Sequence, residues 1–341
     1  MTTTFEEEIR SQGEVLRARR AAGAAEAAWA AESLRGVTHL VVAARGSSDN
    51  AAVYFQYLAG QELGLLVALA APSLYEGSRG VNLQGAGVLA ISQSGRSPGM
   101  VEVLEHAHAQ GCPTVVVTND ASSPLALAGE HVLELRAGHE RAIASTKTLS
   151  ATWHALAQLV DALGSGRLEG LEELADVVDR TADWALGEDL ATDLLDVRGL
   201  TMVGRGVGYA AAAEIALKVR EVSGVRAESY AAPDYLHGPI GADGDDCCAV
   251  IVVTDELSDA VLRELLKGCR ESGMTTMVLR PSTRAVSVEC DAEIVFPLTT
   301  PNWATGLVAV VVGQVLALRL GQVRGRPIDT SPRLSKVTLS A

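Results

Sequence analysis

The sequence predicts an α/β fold made of two tandem units, each a parallel β-sheet flanked by helices. The chain has 341 residues, 48% of them apolar, which is about the length of two domains. Two stretches share one plan, an apolar strand, then Arg-Gly, then an Ala-rich helix. Apolar strands alternate with helical stretches in both halves, which is typical of right-handed βαβ units and parallel sheets.

The repeat is clearest where a strand leads into a helix. Residues 39–52 (HLVVAARGSSDNAA) and 200–213 (LTMVGRGVGYAAAA) place Arg45 and Arg205, 160 residues apart, directly after an apolar strand. Downstream, GVLAISQSG at 87–95 corresponds to CAVIVVTDE, and GCPTVVVTND at 111–120 corresponds to GMTTMVLRPS. These strands are near-continuous apolar runs, as parallel strands must be when both of their faces are covered.

The pattern divides the chain into five consecutive regions. We expect a helical arm over residues 1–35, a first α/β unit over 36–164, a helical linker over 165–185, a second α/β unit over 186–320 and an irregular tail over 321–341. Within them, the helical stretches are predicted at Pro98 to Gln110, Ser145 to Leu163, Ala210 to Ser223 and Leu257 to Ser272.

Composition excludes several classes of partner. A net charge of −14 disfavours nucleic-acid binding, which needs many Lys and Arg contacts to phosphates. The acidic first residues do not form a secretory signal, and the apolar run Leu307 to Leu320 is shorter than the roughly 20 residues that span a bilayer. The five cysteines have no metal or disulfide spacing. We therefore expect a cytoplasmic protein without metal or cofactor that contacts no nucleic acid or membrane.

A serine-rich turn follows one of the predicted strands. Ser92-Gln93-Ser94-Gly95-Arg96-Ser97 comes after GVLAI and before a helix expected to open at Pro98, an arrangement that suits a phosphate group. The same letters also fit an ordinary turn with a capping serine. Ser47-Ser48 and Ser145-Thr146 are further hydroxyl-rich turns expected at the carboxyl edge of the same sheet, where ligands of open α/β sheets bind.

Charged residues recur on one predicted helix of the second unit. Glu214, Lys218 and Glu221 are spaced i, i+4 and i+7, so they share one face. Such a stripe is either a solvated surface or, after a Gly-rich turn, a proton-transfer site in which Glu221 is the base and Lys218 offsets its charge. Histidine is the side chain that commonly exchanges protons near neutral pH, so His237, in a Gly-Pro loop, could open a sugar ring, or be structural.

In combination, these motifs resemble the SIS (sugar isomerase) domain family. The residues that carry the resemblance are GSS at 46–48, SQSGRS at 92–97, ASTK at 144–147, ALKVRE at 216–221, AESYAAPDYLHGP at 227–239 and PRLSKVT at 332–338. The similarity is greatest to the isomerase half of glucosamine-6-phosphate synthase and to stand-alone deaminases. It implies two tandem SIS domains, each a flavodoxin-like αβα sandwich.

The resemblance also implies roles for individual residues. Glu221 would move a proton between C1 and C2, beside Lys218; Lys336, in a tail that completes the site, would lie near the C1 carbonyl. His237 would open the sugar ring from a partner subunit, and hence we expect a homodimer. The expected substrate and phosphate ligands are Ser47, Ser48, Ser92, Gln93, Ser94, Ser97, Ser145 and Glu140.

Several functions fit this set of residues. No glutaminase segment precedes residue 1, so we expect no transfer of ammonia from glutamine. The leading expectation is a glucosamine-6-phosphate deaminase and aldose-ketose isomerase. The alternatives are an N-acetylglucosamine-6-phosphate dehydratase, a fructosamine 6-phosphate deglycase and a sugar-phosphate sensor without catalysis. The presence of Glu221, Lys218, His237 and Lys336 favours an enzyme over a sensor, which would need only the serine turns.

Overall fold

The computed structural model describes residues 2–75, 80–164, 166, 168–190, 194, 197–297, 301–330 and 336. They form two compact units that interleave along the chain. The first unit comprises residues 14–140, 147–172 and Lys336, and the second comprises residues 2–13, 141–146 and the described part of 173–330. The predicted boundaries were consecutive and do not coincide with these units, because the predicted arm is divided at residue 13.

The first unit is built on a parallel five-stranded sheet in the order β2-β1-β3-β4-β5. Its strands are β1 (His39–Ala43), β2 (Leu66–Leu69), β3 (Ala86–Ile91), β4 (Thr114–Thr118) and β5 (His131–Glu134). Its helices are α2 (Gln12–Ser33), α3 (Ser47–Leu63), α4 (Met100–Ala109), α5 (Pro124–Ala128) and α6 (Lys147–Leu163), of which α2 begins two residues before the unit does. All six residues of β3 and all five of β4 are buried, as a doubly covered sheet requires.

The second unit carries a second parallel five-stranded sheet, in the order β10-β9-β8-β6-β7. Its strands are β6 (Gly199–Gly204), β7 (Arg226–Ala231), β8 (Cys247–Val252), β9 (Thr275–Pro281) and β10 (Ala292–Phe296). Its helices are α1 (Thr4–Arg10), α7 (Leu174–Gly187), α8 (Val207–Lys218), α9 (Ala232–Leu236), α10 (Asp259–Glu271) and α11 (Asn302–Val323). Counted within its unit, each strand occupies the same position in the sheet as its counterpart in the first unit.

The turns that leave β1 and β6 have the same backbone conformation. Gly46 and Gly206, which precede α3 and α8, both have φ 60° and ψ −132°. Residues with a side chain rarely adopt this combination, so both positions require glycine. The two units therefore share a strand order and the conformation of this turn, whereas the prediction of two tandem copies of one domain stays a prediction.

Some predicted boundaries differ from the structure. Helix α4 begins at Met100 and not at Pro98, because Gly99 has a left-handed φ of 80° directly before it. Helix α6 begins at Lys147 and not at Ser145, and α11 continues to Val323, three residues into the predicted tail. The strands β2, β7 and β10 were not predicted.

Helix α11 is long and apolar enough to cross a membrane by length and composition alone. In the structure, however, 94% of its apolar stretch is buried. It packs against α8, α7 and α1 within the second unit. The hydrophobicity of α11 is therefore that of a core helix, although the helix is longer than the apolar run Leu307 to Leu320 on which the sequence prediction rested.

A buried arginine links α2 to α6 within the first unit. The Arg19 guanidinium donates hydrogen bonds to His154 Nδ1 (2.8 Å) and to Gln158 Oε1 (2.6 Å). Burial, followed by the positive charges of Arg19 and Arg20, lowers the pKa of His154 to about 3. Burial also lowers the pKa of Arg19 to about 10. His154 is therefore a neutral acceptor at neutral pH.

This pair predicts a loss of stability in acid. Below the ordinary histidine pKa of about 6.5, the unfolded chain binds a proton at His154 that the folded chain excludes until about pH 3. Stability present above pH 6.5 is thus lost as the pH falls. We expect the wild type to lose about 2 kcal/mol more than His154→Gln between pH 6.5 and 5, measured by urea denaturation. The control is His39→Gln, and equal pH profiles for wild type and His154→Gln would contradict the interpretation.

Candidate functional site

The serine turn predicted to bind phosphate is held firmly at the carboxyl edge of the first sheet. Ser92 follows β3, and its backbone N–H donates to Val117 O (3.1 Å). The Ser92 and Ser97 hydroxyls are 2.9 Å apart and share a hydrogen bond. At Gly95, whose φ is 63°, a Cβ atom would lie 2.0 Å from Ser123 Oγ, so only glycine fits. The loop is therefore fixed by backbone contacts, which leaves its outer side chains for a ligand.

A cavity of about 310 Å³ opens beside this turn in the first unit. Its lining residues follow β3, β4 and β5 or come from the tail: Gln93, Ser94, Arg96, Asn119, Asp120, Gly138, His139, Glu140 and Lys336. The cavity thus brings together four of the residues predicted from the sequence, namely Gln93, Ser94, Glu140 and Lys336. Amides, a hydroxyl, two cations and two carboxylates face one space of the size of a small polar metabolite.

Lys336 is held in this cavity by a buried carboxylate. The Lys336 ammonium donates to Glu140 Oε2 at 2.7 Å. Glu140, whose side chain is fully buried, also accepts hydrogen bonds from the Thr148 backbone N–H (3.1 Å) and hydroxyl (2.6 Å). Thr148 lies in the first turn of α6, so this helix holds the Glu140 carboxylate in place. Glu140 in turn holds the Lys336 ammonium.

The other predicted serines do not line this cavity. Ser47 and Ser48 are half-buried in the first turn of α3, at the same sheet edge as the serine turn because β1 and β3 are adjacent parallel strands. Ser145 belongs to the segment 141–146 that clusters with the second unit. Its hydroxyl is buried and has no hydrogen-bond partner among the residues that the structure describes.

The acidic and basic stripe of the second unit is a buried ion cluster and not a solvated face. The Lys218 ammonium lies 3.3 Å from Glu214 and 2.5 Å from Glu221. Lys218 and Glu214 are fully buried, whereas the Glu221 side chain is 23% exposed. Burial alone would lower the pKa of Lys218, but the two carboxylates outweigh it and raise the pKa above its ordinary value. Lys218 is therefore a permanent cation beside the most accessible member, Glu221.

A wide helical turn presents Glu221. After Lys218 the α-helix passes into a π-turn over Val219–Ser223, which ends at Gly224 in the left-handed conformation. A π-turn interrupts the regular hydrogen bonding of an α-helix, and such turns are frequent at functional sites. The sequence predicted the shared face of the three charged residues but not this widening.

His237 is not a member of the ion cluster formed by Glu214, Lys218 and Glu221. It caps α9, and its backbone N–H donates to the carbonyls of Pro233 and Asp234. Residue His237 is exposed.

The sequence analysis missed Asn119 and Asp120. Both follow β4, and Asp120 pairs with Arg96 of the serine turn at 3.3 Å. The signal that could have identified them was present, because the run TVVVTND places polar side chains at the same sheet edge as the serines. Among the described residues, no group of three or more His, Cys, Asp or Glu side chains is arranged to hold a metal ion.

Comparison with known proteins places these features in a family. A family model for the SIS domain matches residues 33–162. A glutamine–fructose-6-phosphate aminotransferase (isomerizing) of Halobacterium salinarum is 28% identical over 317 residues, which are 89% of this chain and 52% of the relative. The protein of the same name from Streptomyces coelicolor is 32% identical over 271 residues, 73% of this chain and 43% of the relative. The chain spans about half the length of the curated relatives it matches.

A solved structure is similar over almost the full length of both chains. It is a protein of Silicibacter pomeroyi DSS-3 to which phosphosugar isomerase activity is ascribed. It is 29% identical, has a TM-score of 0.85, and is matched over 96% of this chain and 99% of its own. Both units described above therefore occur together in that protein.

The ion cluster gives a stability prediction. Lys218→Met leaves the buried Glu214 without its lysine, which we expect to lower the free energy of unfolding by about 3–5 kcal/mol. Adding Glu214→Gln should restore more than half of that loss. The matched control is Lys267→Met, which breaks an exposed i,i+4 pair with Glu271 and should cost about 0.5 kcal/mol or less. Equal midpoints of denaturation for the two lysine variants would contradict a buried cluster.

Proposed function

We propose, from the premise that this chain belongs to the SIS domain family, that it is a phosphosugar-processing enzyme acting on an amino-sugar 6-phosphate. The observation that carries the proposal is the cavity that groups Lys336 and Glu140 with Gln93 and Ser94. The names of the relatives, which include isomerizing aminotransferases and a phosphosugar isomerase, support the same substrate class. A charged sugar phosphate does not cross a bilayer unaided, so we also propose a cytoplasmic location.

The proposed reaction is deamination coupled to aldose-ketose isomerisation. His237 opens the sugar ring, and Lys336 interacts with the C1 carbonyl. Glu221 then removes the proton from C2 and returns it to C1, while the C1 oxygen gains a proton and the C2 nitrogen loses one, which converts the C2 amine to an imine and the C1 carbonyl to a hydroxyl. Water adds to that imine and releases ammonia and fructose 6-phosphate. Each step is a proton transfer or an addition of water, so protein side chains suffice as acids and bases.

The ion cluster supports Glu221 as the base. An adjacent cation attracts a carboxylate and offsets negative charge that develops on an enolate. Lys218 is such a cation, at 2.5 Å, and Glu214 neutralises it from its other side. The exposed fraction of Glu221 leaves its carboxylate accessible to a substrate, which the fully buried Glu214 is not.

The serine turn supplies the proposed phosphate site. Ser92, Gln93, Ser94 and Ser97 offer hydroxyls and backbone amides at the end of a rigid strand, and Ser47, Ser48, Ser145 and Glu140 are the further proposed substrate ligands. A net charge of −14 makes such local donors necessary, since the overall field repels an anion.

The proposed base can be tested by isotope exchange. With glucosamine 6-phosphate in deuterium oxide, we expect proton NMR to show fructose 6-phosphate with deuterium at C1, together with ammonia. Glu221→Gln should reduce the rate at least about 100-fold, because it removes the general base. Glu271→Gln, an exposed glutamate of α10, is the control and should retain the full rate. Wild-type turnover by Glu221→Gln would exclude Glu221 as the base.

The same assay separates the other activities. Loss of water from N-acetylglucosamine 6-phosphate would replace the deaminase with a dehydratase, and release of an amine from a fructosamine 6-phosphate would replace it with a deglycase. Binding of all three sugars without turnover or exchange would identify a sensor.

We also propose a homodimer in which His237 serves the site of the partner subunit. If so, co-expression of His237→Ala with Glu221→Gln restores activity, because one site of each mixed dimer carries neither substitution. With random pairing, about a quarter of wild-type activity is expected. A monomer by light scattering, or purified mixed dimers without activity, would contradict a shared site.

A further inference from the structure

Arg96 is the charged residue of the serine turn, and the proposed reaction gives it no role. It lines the cavity together with Ser94, whose hydroxyl accepts a hydrogen bond from the Arg96 backbone N–H at 3.3 Å. Its guanidinium therefore extends from the same loop that is proposed to hold a phosphate group. In the first unit this cavity contains two cations, Arg96 and Lys336, and each faces a carboxylate.

The two ion pairs differ in how strongly they are held. Glu140, the partner of Lys336, is fully buried and fixed by Thr148. The side chains of Arg96 and Asp120 are 51% and 36% exposed, and their closest approach is 3.3 Å. An exposed pair of this kind is screened by solvent and contributes little stability. Arg96 can leave its carboxylate at low cost, whereas Lys336 cannot.

Asp120 has other partners that would satisfy it alone. It accepts hydrogen bonds from the Ser122 backbone N–H (2.9 Å) and from the Ser122 hydroxyl (2.6 Å). These bonds, followed by the Arg96 charge, lower the pKa of Asp120 below its ordinary value. Asp120 thus stays ionised and hydrogen-bonded when Arg96 turns away.

A phosphate dianion is the stronger partner for Arg96. The guanidinium matches phosphate geometry with two parallel donors, and charge-assisted hydrogen bonds of this type are about twice as strong as neutral ones. The hydroxyl and amide donors of the loop can bind the same group but carry no full charge. In a chain of net charge −14, a cation at the cavity supplies the attraction that the rest of the molecule lacks.

We propose that Arg96 is a phosphate-binding residue that exchanges Asp120 for the phosphate group of the ligand. This inference rests on the proposed function for the identity of that ligand, a sugar phosphate. Asp120 holds the guanidinium at the cavity when the site is empty and competes with the ligand for it. The pair therefore sets both the position of the cation and the affinity for phosphate.

The test is a phosphorus NMR titration of the full chain with inorganic phosphate. Arg96→Gln should bind phosphate about 10- to 100-fold more weakly, the value of a charge-assisted bidentate contact. Asp120→Asn should bind about 1.5- to 5-fold more tightly, because it removes the competing charge. The matched control is Arg20→Gln, an arginine with the same 51% exposure and an ion pair outside the cavity, which should bind as the wild type does.

Opposite signs for the two variants distinguish an exchange of partners from a structural ion pair. If Arg96→Gln and Asp120→Asn weaken binding equally, or if Arg96→Gln binds as the wild type does, the inference is overturned. Absence of phosphate binding in the wild type overturns it as well. Thermal unfolding of each variant checks its fold. Arg96-dependent phosphate binding without any sugar turnover would remove the proposed reaction and leave this inference intact.

Discussion

The hydrogen bonding of parallel strands constrains where this protein can carry chemistry. Both faces of the central strands are covered, so β3 and β4 expose no side chain along their length. Polar groups can meet a ligand only where a strand ends and its backbone is no longer paired. The serine turn, Asn119 and Glu140 all follow the carboxyl ends of strands in one sheet, and for that reason they share a cavity.

Burial then decides which charges are fixed and which are adjustable. Glu214 with Lys218, and Glu140 with Thr148, are enclosed, so removing Lys218 or Thr148 leaves a desolvated carboxylate that has lost a partner. Glu221 and Arg96 lie at the accessible ends of their ion pairs. In both units an enclosed group anchors a more exposed one. This gradient separates the charges that are enclosed in the fold from those that can face a ligand.

The sequence predicted most of the fold where both faces of a strand are buried. In β2 three of the four side chains are exposed, and β7 reads RAESYA, so neither strand has the continuous apolar run that identified β3 and β4. Local patterns also predicted the shared face of Lys218 and Glu221, because helical spacing is a property of adjacent turns. The contact of Glu140 with Lys336 joins residues 196 apart in the chain, and no local pattern encodes such a contact; only the family resemblance identified Lys336.

The close packing at Gly95 limits how the ligand preference of this loop can change. Because a Cβ atom at this position would overlap Ser123, the path of the loop backbone is almost fixed. The side chains of Gln93, Ser94 and Arg96 face the cavity from that fixed path and make few demands on the fold. Natural divergence or a combinatorial library can therefore vary these three positions while the backbone of the loop stays constant. Substitutions there would alter which anion the loop binds.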